Sequence, residues 1–451
     1  MEVQKAPFIN RLPLELLLAI AIFTDQRTIL RLIAVCRYWR HVLTGTATLW
    51  TSIDCRSVSR TSILLKRSKS SPINVTIDRF VPEAISLVAS HTHRMRSIDV
   101  NLPLDQFGGV RDLLNTLAPI LEKMRLRPRD DSTHGFPPPH TSFFRGQFPA
   151  LRALHLEGYP TFPIRPAPMM TKSLTTLVLD NRQSHKRCDL LGYLEHCENL
   201  VHLKIDLPNL RGTAPASRII SLPNLRELRS VLSSLATLQH LSFPPSADLI
   251  IEPRVREHIE GSPLVAAWVR DGLAKILELR TIKDIRMMFD TLNCVVALSG
   301  PHLVFMEQVK TDTIHYDTFH SDYLDSLQSL PIATTEVLRF LQPPQHPFTR
   351  TLQPQSCTRL LLQMPELKRI ILDTSVTQSF VRALEPVNGQ VPCPNLQVLT
   401  VIWGGSHDTC LRKGLFALSK QRKDHGCPLV CNMGFGFKNW WQEAIRLERV
   451  V

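Results

Sequence analysis

LPLELLLAIAIFTDQRTILRLIAVCRYWRHVLTGTATLW, residues 12–50, crowds a leucine run, a second apolar run and two tryptophans into a short span near the start of a 451-residue chain. Pro13 suits a first helical turn, where its missing N–H costs least, with Asn10 ahead of it. From Leu14 to Phe23 the run is apolar nearly all round, so a helix here asks for burial on more than one side. Asp25 and Thr28 are suited to cap the next helix, which carries Ile29, Leu30, Leu32, Ile33 and Val35. A third helix runs through Trp39 to Leu43, and Thr44-Gly45 ends it. Three short helices in about 50 residues make a marginal core. They cannot hide this many large side chains among themselves. The surplus packs on the rest of the chain or on a partner, and composition alone favours the first.

The whole chain bounds that choice. Hydrophobic residues make up 43%, enough for a packed core. Pro (33) outnumbers Gly (18), which fits many short elements with Pro stops better than a flexible linker. The net charge of +13 favours acidic partners and says nothing of fold. Ten cysteines show no framework spacing, so reduced thiols of the cytoplasm or nucleus are expected. Residues 12–23 have the length of a signal-peptide core behind Lys5 and Arg11. Pro13 and Glu15 interrupt it, and no clean cleavage site follows. No segment reaches membrane-spanning length, so no membrane partner is expected.

The order of residues in 12–50 adds what composition cannot. Leu-Pro, Glu-Leu-Leu, a Leu/Ile-rich second helix, Val-Cys-Arg-x-Trp-Arg and Leu-Trp follow one another in a pattern that resembles the F-box, over residues 9–54. The run AIAIFTDQRT departs from it in lacking a tidy apolar end to the first helix. The resemblance implies a three-helix module that docks a Skp-type adaptor and, through it, a cullin–RING ubiquitin ligase. It further implies that Leu12, Pro13, Leu16, Leu30, Val35, Cys36 and Trp39 face the adaptor, and that Leu49 and Trp50 close the module. Buried aromatic anchors are the usual energetic centre of such interfaces.

Past the F-box, residues 56–72 hold five basic residues and no acid. KRSK within them reads as a solvated helix face in preference to a nuclear address. Ile73, Val75 and Ile77 alternate as in a strand, and Met95, Ile98 and Val100 repeat the idea. Residues 127–147, with Pro137-Pro138-Pro139, read as an irregular loop. A Leu-x-x-Φ-x-Φ pattern then recurs with lead leucines 151, 174, 200, 225, 238, 303, 367 and 396. Several spacings fall near the leucine-rich-repeat range, whereas 225 to 238 and 238 to 303 break the rhythm. The expected fold is a small all-α F-box (1–55), a connecting stretch of helix and first strand repeats (56–147), and a degenerate α/β leucine-rich-repeat-like solenoid with a C-terminal cap around Trp440-Trp441 (148–451). Residues 262–300 look more helical, ending at Gly300-Pro301.

Signals of chemistry are weak. There is no Walker-type loop, no Gly-x-Ser-x-Gly and no His-Glu-x-x-His. Cys188, His196, Cys197 and His202 have the wrong spacing for common zinc sites. No catalytic residue, cofactor or metal is therefore expected. Glu157, Asp180, Asp206 and Asp373 follow strands and read as turn or helix-start acids. In a solenoid, the residues between the leucines face the open side. These are His155, His202, Lys204, Arg229, His240 and Arg369, with Glu227 and Glu307 among them. That face is mildly basic and suits an acidic or phosphorylated target weakly. Nucleic acid is disfavoured, because aromatics are 7% and not interleaved with basic runs. The expectation is a non-catalytic substrate adaptor of a ubiquitin ligase, with an interaction scaffold lacking any ligase role as the alternative.

Overall fold

The computed structural model describes residues 12–129, 148–158, 172–180, 190–206, 219–231, 238, 240–252, 281–289, 293–310, 324, 327–328, 330–341, 352–386, 389–403 and 409–435. The chain forms two compact units, Met1–Leu225 and Arg226–Val451. The division falls inside the stretch expected to be one solenoid. Asn10 and Trp440-Trp441 lie outside the described residues.

The first unit begins with helices α1 (Leu14–Ile22), α2 (Gln26–Leu32) and α3 (Arg37–Gly45). Asp25 caps α2, its carboxylate accepting from the Thr28 N–H at 2.7 Å. Cys36 caps α3 with its sulfur, which accepts from the Trp39 N–H at 3.4 Å. A 3₁₀ turn, Ala47–Trp50, closes the group and buries Leu49 and Trp50. The Trp50 indole N–H donates to the Leu43 carbonyl at 2.8 Å, so the large ring is both packed and satisfied.

The chain enters a sheet at once. Strands β1 (Ser52–Asp54), β2 (Ile73–Ile77), β3 (Met95–Leu102), β4 (Lys123–Pro128), β5 (Ala153–Glu157), β6 (Thr176–Asp180) and β7 (His202–Asp206) lie side by side in sequence order, each parallel to the next. Helices α4 (Val58–Arg67), α5 (Pro82–Ala89) and α6 (Arg111–Asn115) make early return crossings of the kind parallel strands require. Register stacks like residues. Ile53, Val75, Ile98, Met124, Leu154, Leu177 and Leu203 form one buried row across all seven strands. The alternate residues form the opposite, polar face. The proposed strand at Ile73, Val75 and Ile77 is β2, all three buried.

Basic residues after the N-terminal helices have local work. Arg67 lies over the Trp50 ring, 4.4 Å from its centre. Lys69 donates to the Gly45 carbonyl at 3.2 Å. Arg94 is buried and donates to Leu65 O, Ser68 Oγ and Ser71 O, satisfying the C-terminal end of α4.

The second unit is less regular. Its strands run Glu227–Val231, Asp248–Glu252, Leu303–Lys310, Asn293–Gly300, Asp284–Phe289, Val337–Leu341, Arg369–Asp373, Val398–Trp403 and Val430–Phe435 in spatial order. Most pairs are parallel, but 284–289, 293–300 and 303–310 form an antiparallel meander. This corrects two expectations. The described part of 262–300 is strand, not helix: Ile285 and Met287 are buried and Arg286 between them is not, a period of two. Gly300-Pro301 turns a hairpin where a helix stop was expected, with Gly300 paired to Leu303. A side chain at Gly300 would overlap the Thr281 carbonyl oxygen, so only glycine fits. The fold is thus a helical N-terminal region followed by α/β units with largely parallel strands. The meander breaks any uniform repeat, and the described residues form no closed solenoid.

Helices Pro354–Leu362, Thr374–Leu384 and Thr409–Asp424 cover the apolar face of the last strands. The Phe340 and Phe380 rings meet at 4.8 Å. Arg422, fully buried on the last helix, donates to the Pro392 and Cys393 carbonyls at 2.8 Å each.

Candidate functional site

The first surface is the outer side of the three N-terminal helices. On α1 only Leu17 and Ala21 are buried. Leu16 is 53% exposed, Leu30 on α2 45%, and Val35 in the α2–α3 turn 50%. Pro13 is exposed, while Leu12 and Cys36 are half-buried. Phe23, directly after α1, is 91% exposed. Sequence reasoning noted the irregular end of α1 and did not place this ring on the surface. The expectation that α1 is covered on more than one side is not met within the described residues. A run of large apolar side chains facing water is costly unless something else covers it.

Trp39 behaves differently from the other six expected adaptor-facing residues. It is 4% exposed, lies under the module's own residues, and its indole N–H has no hydrogen-bond partner among the described residues. The α3 helix turns it inward, with Leu43 one turn on. Leu49 and Trp50 are both buried in the 3₁₀ turn that follows α3. Gln26 of α2 donates to the Ser52 carbonyl of β1 at 3.3 Å and accepts from Arg60 of α4 at 2.8 Å. The helices are thereby tied to the first strand and the first crossing helix.

The second surface is the polar face of the first unit's sheet. Asp54, Thr76, Asp99, Arg125, His155, Val178 and Lys204 occupy one row in register. Lys123, Ala153, Thr176 and His202 occupy the row beside it. The charges largely answer one another. Arg125 pairs with Glu157 at 2.6 Å, and Arg127 with Asp99 at 3.0 Å. Arg56 pairs with Asp78, whose carboxyl that guanidinium holds below the usual range. Burial, with Arg125 alongside, lowers the affinity of His155 for a proton. Glu157, expected as a turn or helix-start acid, instead places its carboxylate against Arg125. Asp373 accepts from Thr377 through its backbone carbonyl at the start of the helix that follows.

Of the other residues expected on an open face, Arg229 is engaged by Glu227 on its own strand, and Arg369 is exposed. His240 is buried, which removes it from that face. It precedes a strand of only two residues, Leu241–Ser242, so the alternation that would turn it outward is absent. The side chain of Glu307 lies outside the described residues. Among the described residues, no group of three or more His, Cys, Asp and Glu is placed to hold a metal. Cys197 is buried with its thiol on the Tyr193 carbonyl at 3.4 Å, and Cys188 lies outside the described residues. No helix among the described residues is long and apolar enough to cross a membrane.

These geometries agree with what comparison shows. The F-box-like family model matches residues 9–56. The N-terminal region is therefore an F-box-like domain, and it supports reading the chain as an F-box protein. F-box domains bind Skp-type adaptors in cullin–RING ligases and are generally non-catalytic. No curated protein matches the chain.

Proposed function

We propose that the protein is the substrate-recognition subunit of a Skp–cullin–F-box ubiquitin ligase, with the F-box-like domain on the adaptor and the α/β units on a target protein. The observation that carries this is the exposed apolar set Leu16, Leu30 and Val35 on a domain matched as F-box-like. The protein performs no covalent step itself. Its contribution is proximity: holding a target beside the ubiquitin-transfer site raises its effective concentration there. The α/β units act in this reading as a degenerate leucine-rich-repeat-like platform. Their polar face offers side chains such as His155, His202 and Lys204 to a target. The working compartment is the cytoplasm, the nucleus or both.

Trp39 acts in this reading as the floor under the docking surface, with Leu12, Pro13, Leu16, Leu30 and Val35 as its contact layer. Affinity capture with the full-length chain tests the proposal. The wild type captures both adaptor and cullin, whereas Leu12→Ala combined with Pro13→Ala captures neither and keeps its thermal transition. Adaptor without cullin would favour the scaffold reading. Undiminished capture by the double variant would overturn the docking model.

A further inference from the structure

The outer side of a sheet's end strand is a row of backbone groups that proteins cover. At β1 two side chains do so: Gln26 donates to the Ser52 carbonyl at 3.3 Å, and Thr61 to the Asp54 carbonyl at 3.2 Å. In the second unit, Val430–Phe435 pairs with Val398–Trp403 on one side and has no strand on the other among the described residues.

The apolar face stops short at the same place. Phe340, Leu372 and Val401 are buried in one row across three strands, and Met433, next in that row, is exposed. The helix Thr409–Asp424 covers this strand from one flank. Its Leu415, Leu418 and Arg422 are buried, and Ser419 donates to the Leu429 carbonyl at 2.7 Å, just ahead of the strand. A methyl added at Gly414 would stand 3.9 Å from Val381 Cγ1, so that side faces the helix Thr374–Leu384. At about 100° per residue, Phe416 leaves the helix on nearly the opposite side, and it is exposed.

The order of elements points to what comes next. Strand and helix alternate three times: Val337–Leu341 and Pro354–Leu362, Arg369–Asp373 and Thr374–Leu384, Val398–Trp403 and Thr409–Asp424. Val430–Phe435 is the strand that follows. Residues 436–451 lie outside the described residues, and their sequence is GFKNWWQEAIRLERVV. Phe437, Trp440, Trp441, Ala444 and Ile445 fall at i, i+3, i+4, i+7 and i+8, one apolar stripe of a helix. Lys438, Gln442, Arg446 and Arg449 fall toward the other side. Such a stripe needs cover as much as Met433 and Phe416 do.

We propose that residues 437–447 form a helix that docks its apolar stripe on Phe416 and Met433, so that this chain's own segment closes the second unit beside its last strand. A helix of that span is about 16 Å long, against roughly 20 Å for the strand. The short link from Phe435 holds the segment at an effective concentration on the order of millimolar, ahead of a free partner. A cap around Trp440-Trp441 was expected as the end of a solenoid; the strand–helix alternation gives it a surface. The closed side is then withheld from strand addition by a second copy or by a target.

Photo-cross-linking with the full-length chain tests this. Benzoylphenylalanine replaces Phe416, whose exposure keeps the fold out of question, and equal parts of unlabelled and ¹⁵N-labelled protein are mixed before irradiation. The expected product joins the tryptic peptides 414–420 and 439–446, both carrying the same isotope, which marks a link within one chain. Hydrogen exchange gives a second reading. Trp440→Ser combined with Trp441→Ser speeds exchange of the Val430–Phe435 amides several-fold while those of Val337–Leu341 keep their rates, a pattern that unfolding cannot mimic. Arg446→Ser combined with Arg449→Ser, on the other side of the same helix, leaves both strands unchanged. Unchanged exchange in the double tryptophan variant would overturn the proposal. So would cross-links found only in mixed-isotope products, which assign the surface to a second copy, or no link from position 416 to residues 437–451.

Discussion

The guanidinium of Arg67 sits 4.4 Å above the centre of the Trp50 ring. One residue ends the first crossing helix of the sheet; the other closes the F-box-like domain. Trp50 is fully buried and bonded to Leu43, so the pair lies where the N-terminal helices become the α/β unit. Trp50→Ala is expected to cost about 3–5 kcal/mol, as large buried aromatics do. Arg67→Ala removes a partly exposed cation–π contact, about 0.5–1 kcal/mol. Hydrogen exchange checks the coupling. In Trp50→Ala, amides of α3 and of β1 lose protection together, whereas independent modules would lose it only in α3.

Glycine substitution separates a required position from a spare one. Gly300→Ala drives a methyl into the Thr281 backbone oxygen and strains the hairpin, with an expected loss of about 1–3 kcal/mol. Gly45, the last residue of α3, has nothing near an added methyl. Gly45→Ala is expected to be neutral or to stabilise by up to about 1 kcal/mol, through helix propensity and a less flexible unfolded chain. Urea denaturation of the two variants gives the comparison.

Arg422→Met keeps the aliphatic volume and removes both donors to the Pro392 and Cys393 carbonyls. Each buried carbonyl left without a donor costs about 1–3 kcal/mol, offset in part by no longer burying a charge. The net expectation is a loss of about 1–4 kcal/mol. A lysine has no fork to span two carbonyls, so Arg422→Lys is not expected to restore the wild-type melting temperature.

Stability falls on mild acidification, before carboxylates titrate. Burial lowers the pKa of His155 and of His91 in the fold, with Arg125 and Arg94 respectively adding to the effect. Near neutral pH both rings are uncharged in the folded and the unfolded chain, and they contribute nothing. Below the unfolded value of about 6.5 the unfolded chain takes up protons first. Stability therefore drops from there toward the lower folded values. His155→Gln is expected to flatten that part of a melting-temperature profile between pH 7 and 5. Asp78 and Glu336, with pKa values lowered by Arg56 and by Lys283 and Lys368, act in a lower window. Their contribution is lost as pH falls from about 4 downward.

The N-terminal helices were readable because their signals are local and ordered. Asp25 as a cap and the span of α3 follow from residues a few positions apart, and the closing role of Leu49-Trp50 is implied by the resemblance to the F-box. The inward turn of Trp39 was not readable, because three helices of this size leave it open which large side chains stay covered. The strands of the first unit were visible where alternation ran over five residues, as at Ile73–Ile77. Ser52–Asp54 is too short to show a period, so the sheet's first strand went unseen. In the second unit, strongly apolar residues near Asn293 masked a period of two, and Gly300-Pro301 ends helices and turns hairpins equally well. The Arg286–Arg339 pairing depends on a register between strands about 50 residues apart, which no local pattern carries.

Residues 9–56, the span of the family match, include Ser52–Asp54. The F-box-like domain thus carries the first rung of the sheet inside its own boundary. It is not a cassette that can be cut off at its edge. Removing it by its family limits takes β1 and Trp50 together, uncovers the backbone edge of Ile73–Ile77, and leaves Arg67 without its ring. A shortened chain built to hold a target without its adaptor has to keep residue 50 onward, or it carries a new sticky edge into the cell.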